Sequence, residues 1–293
     1  MTTIYGAVEA GGTKFNCIIA SGPTEIVDEA RFPTTSPDET IGRVISFFKK
    51  HGQLASIGIA CFGPLDLNPR SATFGYITTT PKPGWSSTNI LGFIQQEMRV
   101  PVSIDTDVNA AAIAEGRWGA CQHLDTFVYF TIGTGIGGGV VANGLPLHGL
   151  VHPELGHIVV QHDRQVDPYS GFCPYHVDCF EGLACGPAMN QRWGQPAETL
   201  PVDHPAWDLE ASYISKALQS TICTLSPERV VLGGGVMQQV QLFPLIRQKT
   251  QAYLNRYVAS PSILEKIDEY IVPPGLGTRS GVLGGLALAQ LCL

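Results

Sequence analysis

The feature that most constrains the fold is a repeated pattern of strand, glycine turn and strand. Apolar runs lie on both sides of Gly11-Gly12-Thr13-Lys14, and apolar runs likewise flank Gly133-Thr134-Gly135. The two copies lie about 120 residues apart, and the order of the flanking elements also repeats. The pattern therefore predicts two related domains that face each other, with chance similarity between two glycine turns as the alternative.

Short apolar strands alternate with amphipathic helices along the rest of the chain. Apolar residues recur at helical spacing over residues 37–50, and residues 56–61 form an apolar run typical of a buried strand. We expect further strands at 26–32, 101–104, 230–232 and 270–272, and helices at 90–98, from 108, over 209–225, over about 242–257 and from 281. This alternation predicts an α/β layer structure.

Composition excludes several classes of protein. The chain has 18 Lys+Arg and 25 Asp+Glu, a net charge of −7, and lacks the basic stripe of a nucleic-acid binder. No apolar run approaches the ~20 residues that span a bilayer, and the first residues lack the basic region of a secretory signal. We therefore expect a cytoplasmic protein without nucleic-acid or membrane partners. In that compartment its 8 Cys are more typical of metal binding or catalysis than of disulfides.

The glycine turns are candidate phosphate sites. A glycine turn lets backbone N–H groups approach an anion that a Cβ would keep away. Neither turn has the P-loop pattern, and the second is followed by a strand where a dinucleotide turn needs a helix. An isolated glycine turn is more often an ordinary hairpin. Because a third run, Gly233-Gly234-Gly235, follows another strand, we predict a nucleotide held in a cleft between the domains.

Two carboxylates, Asp105 and Asp107, lie where a predicted strand gives way to a helix. Either could simply cap the helix. Ligands in α/β proteins, however, gather at the carboxyl ends of strands, and a general base for phosphoryl transfer need only accept an alcohol proton and orient its oxygen. We favour Asp107, because Asp105 is expected to face the other side of the strand.

A cysteine–histidine cluster predicts a metal site. Cys173, His176 and Cys179 follow one another at three-residue spacing, and His157 is the fourth candidate, with His162 as its competitor. Zinc takes four nitrogen and sulfur ligands in structural sites. Two buried thiols beside a surface histidine are the alternative. Four protein ligands leave no open position, so we expect structural zinc, and the pattern differs from that of zinc proteases.

These motifs together resemble those of the ROK family of sugar kinases and repressors, specifically its fructokinase branch, over essentially the whole chain. Glu9-Ala10-Gly11-Gly12-Thr13-Lys14 and residues 133–139 resemble the two phosphate motifs, and the segment from Asp107 resembles the one that begins with the catalytic aspartate. Glu154-Leu155-Gly156-His157 is similar to the sugar-binding E-x-G-H motif, and Glu181 falls where the family has another sugar-binding carboxylate.

The resemblance implies an actin-like fold whose two domains close over ATP–Mg²⁺ and a sugar, in a homodimer. The domains would be residues 1–118 with the C-terminal helix 279–293, and residues 119–278 with the zinc-binding loop. It assigns ATP or phosphate binding to Glu9, Gly11, Gly12, Thr13, Lys14, Gly133, Thr134, Gly135, Ala188, Gly233, Gly234, Gly235, Val236 and Met237. Sugar binding falls to Asp107, Glu154, His157 and Glu181, and structural zinc to His157, Cys173, His176 and Cys179.

Three positions depart from the commoner family pattern. Glu9 stands where most members have Asp, Thr106 replaces an Asn that contacts sugar, and His176 replaces a Cys of glucokinase-like members. Glu9 and His176 are similar to the fructokinase version. The resemblance therefore implies ATP-dependent phosphorylation of fructose at its 6-hydroxyl.

Rival interpretations of the sequence are a glucokinase or mannokinase of the same family, a sugar-sensing repressor and a zinc hydrolase. A repressor of this family carries an N-terminal DNA-binding segment, whereas Glu9 lies eight residues from Met1. A hydrolase needs an open zinc position. Trp85, in a loop of Pro and Gly, could stack on the sugar, although a tryptophan there is more often packing.

Overall fold

The structure, a computed structural model, describes residues 2–292 and shows an α/β protein with two mixed sheets. The strands are β1 (Tyr5–Ala10), β2 (Lys14–Ala20), β3 (Ile26–Pro33), β4 (Ile57–Cys61), β5 (Val102–Thr106), β6 (Phe127–Ile132), β7 (Ile136–Ala142), β8 (Leu145–Pro146), β9 (Arg229–Gly233) and β10 (Ile271–Val272). The helices are α1 (Pro37–Lys49), α2 (Ile90–Met98), α3 (Asp107–Trp118), α4 (Phe180–Ala184), α5 (Gly186–Trp193), α6 (Ala206–Leu225), α7 (Leu242–Leu254), α8 (Pro261–Leu264), α9 (Ile267–Tyr270) and α10 (Ser280–Leu291).

Contacts divide the chain into two compact units. The first comprises the chain up to His123, the segment Leu145–Pro153 and the chain from Thr278, and the second comprises Leu124–Gly144 and Glu154–Gly277. The division expected from the sequence put residues 119–123 and 145–153 in the second domain, and both instead pack with the first unit. Residues 145–153 lie with the first unit because β8 packs against α3.

The two sheets share a topology. In the first unit the strands lie in the order β3-β2-β1-β4-β5, with β1 antiparallel to β2 and parallel to β4, and β4 parallel to β5. In the second unit β10-β9-β6-β7 follow one another, with β6 antiparallel to β7 and parallel to β9. Each unit therefore contains an antiparallel hairpin joined by a glycine turn and flanked by two parallel strands, which confirms the repeat predicted from the sequence.

Helix α10 is largely buried in the first unit, where it packs against α3, β1 and β4. Glycines permit this close approach. A Cβ on Gly58 of β4 would collide with the carbonyl oxygen of Gly285, and one on Gly284 would collide with the backbone of Ala110 in α3. Part of the glycine content thus serves helix–sheet packing rather than the turns. None of the described helices has the length and apolarity needed to cross a membrane.

Several elements differ from the pattern in the sequence. Helices α4 and α5 were not expected, because the segment is rich in Gly, Ala and Cys and has no clear apolar periodicity; Pro187 in the first turn of α5 is the signal that marks a helix start. Helix α7 ends at Leu254, three residues before the expected end, where Asn255 adopts a left-handed conformation that stops the helix.

Candidate active site

Asp107 is the first residue of α3 and follows the last residue of β5 directly. The helix is capped by Thr106, whose Oγ1 accepts the backbone N–H of Asn109 at 3.1 Å. The Asp107 carboxylate accepts the N–H of its neighbour Val108 at 2.9 Å and is half-buried. Because Thr106 caps the helix, a capping role does not explain why a carboxylate stands at position 107.

Asp105 has a different environment from Asp107. It is 3% exposed, and its Oδ1 accepts the Thr106 N–H at 2.7 Å and the Asn109 Nδ2 at 2.8 Å. Its Oδ2 lies 3.0 Å from Nε2 of His148. Asp105 is therefore committed to contacts inside the first unit, and Asp107 is the carboxylate with the greater exposure at this strand end.

The first glycine turn joins β1 to β2 and is anchored from below by Thr34, whose hydroxyl donates to the Gly11 carbonyl at 2.7 Å. The Gly11 N–H donates to the Lys14 carbonyl at 3.0 Å, while Gly12, Thr13 and Lys14 are exposed. A Cβ on Gly12 would meet nothing within 4 Å. The absence of that Cβ leaves open space over the turn, as an anion-binding turn requires.

Glu9, at the end of β1, is held on two sides. Asn16 faces it across the hairpin and donates its Nδ2 to the Glu9 carboxylate at 2.6 Å. On the other side, a Cβ placed on Gly281 in the first turn of α10 would lie 2.6 Å from the Glu9 Cδ. The glycine therefore provides the space that this longer acid occupies, a relationship that the local sequence around either residue does not show.

The second glycine turn is bound to Glu181 of α4. The Ile136 N–H donates to Glu181 Oε2 at 2.8 Å, and a Cβ on Gly135 would lie 2.7 Å from the same oxygen. The sequence assigned Glu181 to sugar binding only. The structure shows its contact with the turn, where it binds the backbone two residues after the exposed Thr134.

Three segments assigned to the nucleotide meet in the second unit. The Gly186 N–H, at the start of α5, donates to the Gly133 carbonyl at 2.7 Å. A Cβ on Gly133 would lie 3.5 Å from the Gly235 nitrogen. Gly234 has a φ of +93°, and a Cβ there would collide with Ile132, so this position requires glycine.

The third glycine run, Gly233-Gly234-Gly235, is followed by residues that pack in the core of the second unit. Val236 and Met237 form a short 3₁₀ turn after Gly235, and both side chains are buried, as is Ala188 of α5. Their neighbours in the core include residues of β6 and β9. These three side chains are therefore buried beneath the turn, whereas Gly235 and Gln238 are exposed.

Glu154 precedes the 3₁₀ turn Leu155–His157. Burial of its carboxyl group, followed by the negative charge of Glu181, raises the pKa of Glu154 to about 7. The side chain retains substantial solvent exposure, which limits this effect. Near neutral pH the Glu154 carboxyl group is divided between its protonated and ionised forms. It can therefore donate a hydrogen bond to a hydroxyl group or accept one from it.

The predicted metal ligands come together in the second unit. One ligand atom from each of His157, Cys173, His176 and Cys179 lies within 4.8 Å of every other. His157 Nδ1 is 3.7 Å from Cys173 Sγ and 3.5 Å from Cys179 Sγ, and His176 Nδ1 is 3.7 Å from Cys173 Sγ. Tetrahedral zinc with ordinary Zn–S and Zn–N distances requires an S···N separation of about 3.6 Å. The donor set and spacing therefore fit zinc.

The backbone of the cluster is tightly wound. Cys173 and Val177 exchange both backbone hydrogen bonds, at 3.2 and 3.0 Å, and Val177 adopts a left-handed φ of +59°. A Cβ on Gly182 would collide with the Val177 carbonyl. This turn places His176 on the same side as the two buried thiols.

His162, the competing fourth ligand, lies outside the cluster. Its Nδ1 is 3.1 Å from the Asp178 carboxylate, and its Nε2 is 2.9 Å from the Asp167 carbonyl oxygen. Both ring nitrogens are thus engaged elsewhere, which favours His157 as the fourth ligand.

Trp85 is part of the core of the first unit. It is fully buried, its Nε1 donates to the Thr35 carbonyl at 2.8 Å, and its ring contacts those of Phe15 and Phe62, each at 5.5 Å between centroids. A packing role accounts for this residue, as the sequence favoured.

The comparisons with known proteins agree with this arrangement. The model of the ROK family matches residues 5–291. The fructokinase of Pediococcus pentosaceus is 43% identical over 99% of this chain and 99% of its own length, and that of Zymomonas mobilis is 44% identical over 98% and 96%. The crystal structure of a ROK hexokinase from Thermus thermophilus superimposes with a TM-score of 0.78 at 25% identity, covering 99% of this chain and 98% of that one.

Proposed function

Because the chain belongs to the ROK family, we propose that it is a fructokinase that transfers the γ-phosphoryl group of ATP to the 6-hydroxyl of fructose. Fructokinases at 43% and 44% identity over nearly the whole chain support this substrate. The structural observation that carries the proposal is Asp107, which stands half-buried at the end of β5 without serving as the helix cap.

Asp107 is the proposed general base. Its carboxylate accepts the proton of the attacking hydroxyl and orients the oxygen for in-line attack, which is the chief demand that phosphoryl transfer makes on a side chain. The start of α3 fixes the backbone of this residue, since Thr106 and Val108 are both hydrogen-bonded there. The position of the carboxylate is therefore set before substrate arrives.

The glycine turns are the proposed phosphate sites. The N–H groups of Gly11 and Gly133 close the two turns by bonding to the Lys14 and Gly135 carbonyls, and the turns would offer phosphate the backbone at Gly12 and Thr134 and the hydroxyls of Thr13 and Thr134. Gly233–Met237 and Ala188 support the nucleotide beside the second turn, to which they are bonded or packed. Glu9 is an oxygen ligand of the kind that Mg²⁺ and its bound water prefer, and the Mg²⁺ that accompanies ATP offsets the charge of its phosphates.

Sugar binding is assigned to Asp107, Glu154, His157 and Glu181. The negative charge of Glu181 acts on Glu154, and the Glu181 carboxylate is bonded to the backbone after the second glycine turn. Two carboxyl groups, one of which can remain protonated near neutral pH, can recognise both the donor and the acceptor side of sugar hydroxyls. Selectivity for fructose over glucose or mannose is the finer part of the proposal.

Structural zinc is the proposed occupant of the cluster formed by His157, Cys173, His176 and Cys179. It would tie the 3₁₀ turn that follows Glu154 to the segment that precedes α4 and Glu181. The bound metal supplies rigidity here, because four protein ligands leave no coordination position for chemistry. A homodimeric state remains a prediction from the resemblance, and a cytoplasmic location remains a prediction from the sequence.

The replacement Asp107→Asn tests the general base. We expect kcat for fructose-dependent ADP formation to fall by about 10²–10⁴-fold, while ATP and fructose still bind in calorimetry. Asp208→Asn is the matched control, because Asp208 is 69% exposed and pairs only with Lys249 among the described ion pairs. Near-native turnover in Asp107→Asn would refute the assignment.

The replacement Cys179→Ser tests the metal site. We expect the purified variant to lose its zinc, measured by elemental analysis, and to show a higher KM for fructose because the turn that follows Glu154 loosens. Cys223→Ser is the control, since Cys223 is exposed and lies outside the cluster. Stoichiometric zinc in Cys179→Ser would contradict the ligand set, and a native KM in a zinc-free protein would contradict the coupling to the sugar.

A comparison of kcat/KM for fructose, glucose and mannose tests the hexose. We expect fructose to be preferred. A preference for glucose or mannose would favour the hexokinase alternative. If no sugar phosphate forms in the presence of ATP, a sensing role would be favoured.

A further inference from the structure

The segment Leu145–Pro153 carries two histidines that bond to distant parts of the first unit. The His148 Nε2 lies 3.0 Å from Oδ2 of Asp105, and the His152 Nε2 accepts the Leu65 N–H at 3.1 Å. The chain thus returns after β7 to place an imidazole on the buried carboxylate that lies two residues before Asp107. The sequence motifs did not draw attention to His148.

Asp105 is the centre of the contacts at the end of β5. Its Oδ1 accepts both the Thr106 N–H and the Asn109 side-chain amide, at 2.7 and 2.8 Å. Asn109 in turn donates its backbone N–H to the Thr106 hydroxyl. Asp107 stands between these two residues, so its backbone is fixed on both sides by groups that share Asp105.

A carboxylate that is 3% exposed is costly unless its oxygens are compensated. Backbone and amide donors satisfy Oδ1, and His148 supplies the donor to Oδ2. The hydrogen bond to Asp105 raises the pKa of His148 above its ordinary value, although partial burial of the ring opposes this. The imidazole is therefore charged over a wider pH range than a free histidine and offsets the charge of Asp105.

The other groups around His148 do not replace it. Burial lowers the pKa of His152, although a backbone hydrogen bond at Pro153 and the charge of Asp105 oppose that shift, and its Nε2 already accepts the Leu65 N–H. Asn109, from α3, brings its Nδ2 to 3.3 Å from the His148 Nε2 and carries no charge. Asp105 is the acidic group that acts on the His148 ring, through both its hydrogen bond and its charge.

We infer that His148 is a positioning residue for Asp107: its imidazolium holds the Asp105 carboxylate, which fixes the start of α3 through Thr106 and Asn109. The inference rests on the proposed role of Asp107 as general base. A pairing that raises the histidine pKa is present at low pH and is lost as the pH rises through that pKa. We therefore expect kcat to fall on the alkaline side of its pH profile as His148 loses its proton.

The test compares two substitutions with a matched control. His148→Leu removes the donor, and we expect kcat to fall by about 10- to 100-fold with little change in the KM for ATP. His148→Gln keeps a neutral donor, so we expect it to recover much of kcat at neutral pH and to lose the alkaline limb. The control is His51→Gln, because the His51 Nε2 lies 2.8 Å from Asp28 in a second imidazole–carboxylate pair of this unit; its kcat and pH profile are expected to match the native protein.

A measurement independent of turnover is the NMR titration of the His148 ring. We expect a pKa above the ordinary histidine value in the native protein and a value nearer the ordinary one in Asp105→Asn. A native kcat in folded His148→Leu, or an alkaline limb that persists in His148→Gln, would overturn the inference. If His148→Leu does not fold, the Gln pH profile and the native titration decide it. Native turnover in Asp107→Asn would instead refute the general base itself.

Discussion

Gly281 provides the space for Glu9, so Gly281→Ala is a test of how this acid is positioned. The new Cβ would lie 2.6 Å from the Glu9 Cδ and 3.1 Å from its Cγ, whereas carbon atoms in favourable contact are about 3.5–4.0 Å apart. The carboxyl group must therefore move by about 1 Å. That movement breaks its 2.6 Å hydrogen bond with Asn16.

The cost follows from that hydrogen bond. A bond to a charged group contributes about 1.5–3 kcal/mol, and because this one is only partly buried we take about 1–2 kcal/mol, a factor of about 5–30. We expect kcat/KM for MgATP to fall by that factor. The free energy of unfolding should fall by less than the value of the lost hydrogen bond, since alanine favours the helix over glycine by about 0.5–1 kcal/mol.

The assay is a double-mutant cycle with Glu9→Asp. Initial rates of ADP formation are measured against MgATP at saturating fructose, and calorimetry gives the affinity for MgATP separately from turnover. Because aspartate is one methylene shorter, Gly281→Ala should cost less in the Glu9→Asp background, with a coupling of about 1 kcal/mol. Gly42→Ala in α1 is the control, because a Cβ there meets nothing within 4 Å. Native MgATP kinetics in Gly281→Ala, or strictly additive effects, would refute the reasoning.

Three further substitutions test packing. Trp85→Phe removes the hydrogen bond to Thr35 and is expected to lower the free energy of unfolding by about 1–3 kcal/mol without raising the KM for fructose; a raised KM in a stable variant would revive a sugar-stacking role. Gly58→Ala forces a Cβ into the Gly285 carbonyl and is expected to destabilise by more than about 3 kcal/mol in urea unfolding, so native stability would contradict the packing of α10. Burial raises the pKa of Glu210 well above its ordinary value, so the stability of the native protein falls as the pH rises above the unfolded-state pKa of this group. Glu210→Gln is therefore expected to raise Tm more at pH 8 than at pH 5. An equal gain at both pH values would contradict this.

The features that could be predicted from the sequence are those set by neighbouring residues. The hairpin turns at Gly11 and Gly133 follow from apolar runs on each side, and the cluster of candidate metal ligands follows from three-residue spacing between Cys173, His176 and Cys179. Asp107 could be placed at a strand end because the strand and the helix after it both have clear local patterns.

The remaining features depend on contacts between residues far apart in the chain. His148, in a segment that packs with the first unit, pairs with Asp105, and neither residue carries a local signal of the other. In the same way, the contact of Glu181 with the Ile136 N–H, and that of Gly281 with Glu9, arise only when separate elements pack together. Periodicity describes one element at a time and therefore does not predict them.

The assembly of the first unit from three chain segments has a consequence for biosynthesis. Strands β1 and β4 are complete by Cys61, yet α10, the helix that packs against them, begins at Ser280. A nascent chain can therefore finish every element of the second unit while the sheet of the first unit still lacks this helix. During vectorial synthesis the face of the early sheet that α10 covers therefore stays uncovered until residues 280–291 have been made, so the first unit completes its packing after the second unit has been synthesised.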